Sequence, residues 1–251
     1  MIDALVAAGW GLLAGSALLV GAVVGYAVRV PRWLIASVMA FGAGVLISAV
    51  SFELVGEAYE QGGLVPAAGG TVAGALAYTA GNVWLARRGA RHRKRSGHLR
   101  GQPSERQVAG SGAALALGAL LDGVPESAVI GGSLLDGGAV SLVTVAAVFI
   151  SNVPEGLSSA AGMRRAGRGP GYVFGVWGSI TAASAVSSLL GYTVVGALST
   201  AVVAAVTAVA AGAVLAMIAD TMIPEAFEEA HLAIGVITVC GFLTSFVLSH
   251  A

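Results

Sequence analysis

The sequence predicts an all-helical integral membrane protein in which eight transmembrane helices form one domain, residues 1–251. Hydrophobic residues make up 57% of the chain and charged residues only 10%, whereas a soluble domain carries about 25% charged residues. Eight apolar runs of about 20 residues follow one another, and each is long enough to cross a bilayer. The 37 glycines favour close approach between membrane helices.

The eight predicted spans are separated by polar breaks. They cover residues 4–28, 33–55, 64–86, 108–134, 139–163, 172–198, 201–223 and 232–250. The seventh span is predicted to end at the polar segment 224–231, which begins with Pro224, because proline disrupts helix hydrogen bonding. The single cysteine, Cys240, excludes an intrachain disulfide and a thiolate metal cluster.

The 13 basic residues all lie in the breaks that follow spans 1, 3 and 5. Because basic loops stay in the cytoplasm, this pattern predicts that both termini are extracytoplasmic. The longest break, residues 87–107, is predicted to be a basic cytoplasmic loop that contacts the lipid bilayer rather than nucleic acid. The sequence therefore indicates a multi-pass protein of the cell (inner or plasma) membrane.

Spans 4 and 5 each carry a Pro-Glu motif near the middle of the membrane, where both residue types are energetically unfavourable. Asp122-Gly123-Val124-Pro125-Glu126-Ser127 lies in span 4, and Ser151-Asn152-Val153-Pro154-Glu155-Gly156 lies in span 5. The two glutamates are each about 14–15 Å from a predicted interface, at 1.5 Å per residue. A short connection makes spans 4 and 5 antiparallel, so we expect them to be neighbours whose glutamates face each other. Each proline also frees a backbone carbonyl beside the carboxylates.

The charge of these carboxylates is the central question. Lys and Arg are absent from all eight predicted spans, and Asp122, Glu126 and Glu155 would cost on the order of 8–10 kcal/mol if ionised without a counter-charge. Protonation, carboxyl hydrogen bonds that hold helices together, or a cation from solution would each resolve this cost. Hard oxygen donors suit a divalent metal ion. The candidate ligands are Asp122, Glu126, Ser151, Asn152 and Glu155.

Spans 2 and 7 resemble each other at a constant offset. Ala43-Gly44 matches Ala211-Gly212, and Gly56-Glu57-Ala58 matches Pro224-Glu225-Ala226. The two spans cross in opposite directions, so we predict an inverted repeat with helices 4 and 5 at its centre. Acidic residues near the two mouths would concentrate cations, and four of them extend the candidate metal site: Glu53, Glu57, Asp220 and Glu225.

The paired Pro-Glu motifs resemble the metal-site helices of the ZIP (Zrt/Irt-like) divalent metal transporters. The resemblance implies eight helices, extracytoplasmic termini and metal binding by Glu126 and Glu155. Asp122 and Ser151 stand where that family has motif histidines, and Gly123 replaces an asparagine. The chain therefore resembles a divergent bacterial-type member. Its all-oxygen site favours harder ions such as Mn²⁺ or Fe²⁺ over Zn²⁺.

Three functions remain open from the sequence. The first is a transporter of a divalent metal ion (Zn, Mn, Fe or Cd), which is a substrate and not a prosthetic group. The second is a proton-conducting or proton-coupled carrier that uses the same carboxylates without metal. The third is an enzyme such as an intramembrane protease. We predict that the protein is not an enzyme, because the four histidines lie outside the predicted helix centres and no aspartyl protease motif is present. The glycine-rich helix faces allow a homodimer without requiring one.

Overall fold

The computed structural model describes residues 2–87, 111–136, 142–195, 198–230 and 233–250, and these residues form helices and no strand. We number eight helices in chain order, and a helix whose winding changes along its length is counted as one helix. They are α1 Ile2–Ala27, α2 Arg32–Gly62, α3 Leu64–Leu85, α4 Ser111–Gly132, α5 Leu142–Arg165, α6 Pro170–Leu190, α7 Thr200–Met217 with its continuation Ile223–Ala230, and α8 Ile234–His250.

Each predicted span corresponds to one of these helices, but the ends of α2 and α7 were predicted wrongly. Both helices continue beyond the predicted ends, at residues 55 and 223, through a wider π-helical segment. These segments are Val50–Val55 in α2 and Ile218–Met222 in α7. Pro224 therefore does not end the helix: the π segment before it absorbs the lost hydrogen bond, and helix resumes over Ile223–Ala230. The predicted basic loop 87–107 lies outside the described residues except for Arg87.

Four of the described helices are long and apolar enough to cross a membrane, namely α1, α2, α6 and α7, and α8 is a shorter apolar helix. Helix α3 is less hydrophobic because glycine, threonine and asparagine interrupt its apolar residues, and α4 and α5 because they carry the polar motifs. At 22 residues, α4 is nevertheless about 33 Å long, enough to cross a bilayer. The architecture is compatible with a multi-pass membrane protein.

The helices pack as two groups of four. In the first group α1 packs against α5 and α6, and α4 packs against α6. In the second group α2 packs against α8 and α7, and α3 packs against α7. The groups meet where α2 contacts α5 and where α4 contacts α7. The prediction that α4 and α5 are close neighbours is wrong: they touch only marginally, because α5 lies on α1 and α4 lies on α6.

Glycines set the closest helix crossings of the first group. A methyl group at Gly156 would lie 2.2 Å from the carbonyl oxygen of Leu18, and one at Gly131 would lie 1.8 Å from that of Ser188. These distances are far inside van der Waals contact, so only glycine fits. Gly21 against Val153 and Gly191 against Ala128 are equally close, at 2.1 and 2.2 Å. The α1–α5 and α4–α6 pairs are therefore locked by backbone contact.

The second helix group is held by the same kind of contact, between a glycine and a backbone carbonyl. Gly44 would clash with the carbonyl oxygen of Thr238 at 1.9 Å, and Gly212 with that of Thr71 at 1.9 Å, if either carried a methyl group. Gly241 meets Phe41 in the same way, and Gly74 meets Val209. Four tight contacts thus hold α2 to α8 and α3 to α7.

These contacts occur in pairs at constant offsets along the chain. Gly21 and Gly191 differ by 170 positions, and so do Leu18 and Ser188, the residues that Gly156 and Gly131 contact. Gly44 and Gly212 differ by 168 positions. Exchanging α1 with α6, α2 with α7, α3 with α8 and α4 with α5 therefore reproduces the packing. Helices α1 and α6 are antiparallel, because Ser188 bonds to Ala7 and Thr181 bonds to Gly15.

Candidate functional site

Three carboxyl groups are buried on helices of the first group. Asp122, Glu126 and Glu155 are only 1%, 3% and 4% exposed. Asp122 and Glu126 are one turn apart on α4, and Glu155 lies on α5. Both motif prolines are within continuous helices, so each frees a backbone carbonyl one turn before it, as the sequence predicts. Buried carboxyl groups and freed carbonyls therefore make this part of the core polar.

Asp122 is held by a residue that the sequence analysis missed. The hydroxyl of Tyr78 on α3 donates a hydrogen bond of 2.7 Å to Oδ1 of Asp122. Tyr78 is 2% exposed, and a buried tyrosine hydroxyl normally needs such an acceptor. Because α3 and α4 belong to different helix groups, this bond joins the two groups at the site. The available signal was the single tyrosine of α3, which lies among mostly small residues.

Ser151 donates a hydrogen bond within α5, whereas Asn152 donates one that joins α5 to α1. Ser151 donates from Oγ to the carbonyl of Val148 at 2.9 Å. Asn152 donates from Nδ2 to the carbonyl of Ala14 on α1 at 3.1 Å. Hydroxyl and amide oxygens retain acceptor lone pairs, so metal binding would use Oγ and Oδ1. The backbone of Ser151 also packs closely against Gly42 on α2.

Glu225 closes one end of the site. Its Oε1 is 3.3 Å from the hydroxyl of Ser158, which donates to it. Ser158 is completely buried and Glu225 is 6% exposed. Ser158 lies three residues after Glu155 and therefore on the same helix face. Ser158 was not identified from the sequence, although this spacing was the signal.

The opposite end is open. A cavity of about 300 Å³ is lined by the acidic residues of α2, Glu53, Glu57 and Glu60, together with Ser133 after α4 and Thr144 on α5. Its wall includes Val129, three residues after Glu126. Glu53 accepts a hydrogen bond of 2.8 Å from Ser249 and another from Thr144. The cavity thus places acidic groups at an entrance about one helical turn from Glu126.

Asp220 lies away from the buried carboxyl groups. Its side chain is exposed, and Nδ2 of Asn82 lies 3.5 Å from its Oδ2, at the long limit for a hydrogen bond. The sequence analysis made Asp220 a candidate metal ligand near one mouth. Asp220 follows the buried Ala211 by nine residues, which is two and a half turns at about 3.6 residues per turn, so ordinary helical spacing directs its side chain away from the buried face.

The candidate carboxylate ligands do not converge on one metal position. Among the described residues, no three His, Cys, Asp or Glu side chains converge closely enough to hold a metal ion. Tyr78 directs Asp122 toward α3, and Ser158 directs Glu225 toward α5. A carboxylate offers about four lone-pair sites, so these hydrogen bonds can orient the carboxylates while a metal ion binds, and a shared metal site would require the helices to move closer together.

Comparison with known proteins adds no relative. No protein-family model matches the chain, and no curated protein matches it. The fold and the buried acidic residues define the class on their own: an all-helical protein, compatible with a multi-pass membrane protein, with carboxyl groups in its core.

Proposed function

We propose that this protein transports a divalent transition-metal ion of the zinc, manganese or iron class across the cell membrane. One observation carries the proposal: Asp122, Glu126 and Glu155 are buried, whereas the basic residues of the described helices lie at helix ends. A metal ion entering from solution supplies positive charge where the helices supply none. The oxygen donors favour Mn²⁺ or Fe²⁺ over Zn²⁺.

The duplicated packing supports an inverted repeat. The paired glycine contacts relate α1–α3 to α6–α8 and α4 to α5, and the related helices α1 and α6 run in opposite directions. Secondary transporters commonly use such repeats, with the substrate near the repeat interface. Helices α4 and α5, which carry the carboxyl groups, exchange with one another in this arrangement. The resemblance to ZIP transporters is consistent with this proposal and supplies its metal class.

The two ends of the repeat differ, which supports alternating access. Ser158 and Glu225 correspond to Ser133 and Glu57 at the offsets of 25 and 168 positions that the glycine contacts follow. Ser158 and Glu225 are buried and hydrogen-bonded. Ser133 and Glu57 instead line the open cavity. Equivalent residues thus close one end and leave the other end open, and exchanging these states would move the access from one side to the other.

Uptake into proteoliposomes tests the proposed function. Purified protein is reconstituted, and the initial uptake of Zn²⁺, Mn²⁺, Fe²⁺, Cd²⁺ and Mg²⁺ is compared with protein-free vesicles. We expect saturable uptake of transition metals, with Mn²⁺ or Fe²⁺ preferred. Rates equal to those of empty vesicles for every ion would reject metal transport.

A proton carrier is the second candidate. Asp122 and Glu225 are each bonded to a hydroxyl group, and hydroxyl groups both donate and accept protons. A pH-sensitive dye inside metal-free vesicles separates the two functions. Proton flux without metal, lost on replacement of Glu126, would favour the carrier.

Removing the hydroxyl of Tyr78 is expected to weaken metal uptake. In Tyr78→Phe, Asp122 loses a buried donor that fixes its orientation, and a hydrogen bond to a charged group contributes roughly 1.5–3 kcal/mol. We expect KM for the preferred metal to rise by about 10-fold, equivalent to roughly 1.4 kcal/mol. The matched control is Tyr59→Phe, at a position that is 56% exposed. An unchanged KM in Tyr78→Phe would show that this bond does not position a ligand.

The closed end should open when Ser158 is replaced. Ser158→Ala removes the hydrogen bond to Glu225, worth about 1 kcal/mol, so the open population should rise about fivefold. The measurement is the rate at which a water-soluble thiol reagent labels Met222→Cys, a completely buried position, with the exposed Cys240 changed to Ser. Ser133→Ala, at the equivalent position of the open end, is the control. Equal labelling rates in both variants would show that the Ser158–Glu225 hydrogen bond does not keep this end closed.

A further inference from the structure

A second cavity lies away from the carboxyl groups, at the C-terminal ends of α1 and α5. Its volume is about 430 Å³, and all of its charged lining residues are arginines: Arg29, Arg164 and Arg165. Gly25, Val28, Val30 and Ala161 form the rest of the lining.

The helix packing brings these arginines together. A methyl group at Gly25 would lie 2.2 Å from the carbonyl oxygen of Leu157, so α1 and α5 are in backbone contact just before they end. Arg29 follows α1 by two residues, and Arg164 and Arg165 occupy the last turn of α5. Two parallel helices that end at the same level thus direct three exposed guanidinium groups into one concavity.

One arginine is held in place at the rim. Arg164 donates from Nη1 to the carbonyl of Tyr26, and its guanidinium carbon lies 5.8 Å from the centre of the Tyr26 ring. Tyr26 also packs edge-on against Phe174, with ring centres 5.7 Å apart. Arg168 lies over Tyr172 at 4.8 Å. Tyrosine and arginine side chains of this kind are typical of the level of lipid headgroups.

We propose that this arginine cavity binds a phosphate group, with an anionic phospholipid headgroup as its source. Each guanidinium presents several fixed donors that match phosphate oxygens, and an anchored arginine loses less conformational entropy on binding. The lipid source rests on the membrane location that the proposed function assumes. The cavity lies nine residues beyond Glu155 on the same helix, about 14 Å away. A bound headgroup would therefore fix the end of α5 and restrain movement of its carboxylate.

Lipid binding tests the proposal without any transport measurement. Full-length protein in detergent is titrated with phosphatidylglycerol or phosphatidylcholine, and bound lipid is counted by native mass spectrometry. We expect the wild type to prefer phosphatidylglycerol. Combining Arg29→Gln, Arg164→Gln and Arg165→Gln should weaken its binding at least about 10-fold, whereas Arg32→Gln with Arg87→Gln, outside the cavity, should change it by less than about twofold. Arg165→Gln alone serves if the triple variant does not fold.

Inorganic phosphate separates the sources of the ligand. Displacement of phosphatidylglycerol by millimolar phosphate in the wild type would support a phosphate site filled by lipid. Phosphate binding without lipid preference, lost in the triple variant, would retain the site and assign it to a soluble phosphate. Equal lipid binding in wild type and triple variant, or equal affinity for the two lipids with no phosphate binding, would overturn the proposal. Because binding is measured directly, a failure of metal uptake would leave this result unaffected.

Discussion

Replacing Glu126 with glutamine is expected to lower the initial rate of metal uptake by about 100-fold, equivalent to roughly 2.7 kcal/mol. Glutamine keeps the size of the side chain and its hydrogen-bonding capacity but removes the negative charge that a divalent ion requires. At 3% exposure, water cannot substitute for the missing ligand. Glu155→Gln should give a loss of the same order, because Glu155 is equally buried on α5. The measurement is uptake into proteoliposomes, normalised to the amount of reconstituted protein.

Glu60→Gln provides the matched control for these two variants. It makes the same chemical change at an exposed position that lines the open cavity. Because its charge is solvated, we expect uptake to fall by less than about twofold. Near-normal uptake in both Glu126→Gln and Glu155→Gln would eliminate the proposed site. A comparable loss in all three variants would point instead to a general effect of negative charge at the entrance.

The helices themselves were largely predictable because hydropathy directly reflects the cost of placing polar groups in lipid. Their ends were less so. Proline followed by acidic residues normally marks the end of a helix, yet α7 continues past Pro224. The preceding π segment decides this outcome, and its changed winding leaves no signature in residue spacing. Asp220 was chosen as a candidate ligand by its residue type, although its helical spacing from the buried Ala211 already places it on the exposed face of α7.

The assembly of the site was only partly predictable. Sequence spacing places Asp122 and Glu126 on one face because both belong to one helix. Tyr78 is 44 residues from Asp122, and Ser158 is 67 residues from Glu225, so helical spacing cannot connect them. Short loops give the relative direction of α4 and α5 but not the faces that touch. Glycine–carbonyl contacts determine those faces, and a count of glycines does not reveal their pairing.

Replacing Gly131 with alanine is expected to destabilise the protein strongly. The added methyl group would lie 1.8 Å from the backbone carbonyl oxygen of Ser188, so α4 and α6 would have to separate. Overpacking of this kind typically costs about 1–3 kcal/mol, and a backbone atom cannot rotate away as a side chain can. We expect a lower thermal unfolding midpoint and a smaller monodisperse fraction in detergent, measured by size-exclusion chromatography after heating.

Gly132 provides the matched control for Gly131. At Gly132 a methyl group would meet nothing within 4 Å, so Gly132→Ala should leave the midpoint unchanged or raise it, because alanine favours helix by about 1 kcal/mol over glycine. The two variants make the same substitution one residue apart, so their difference measures the α4–α6 contact alone. Gly156→Ala should repeat the loss, because its methyl group would lie 2.2 Å from the carbonyl oxygen of Leu18 in the duplicated α1–α5 contact. Equal midpoints for Gly131→Ala and Gly132→Ala would mean that these helices separate at little cost, and that backbone contact does not lock the group that carries the carboxylates.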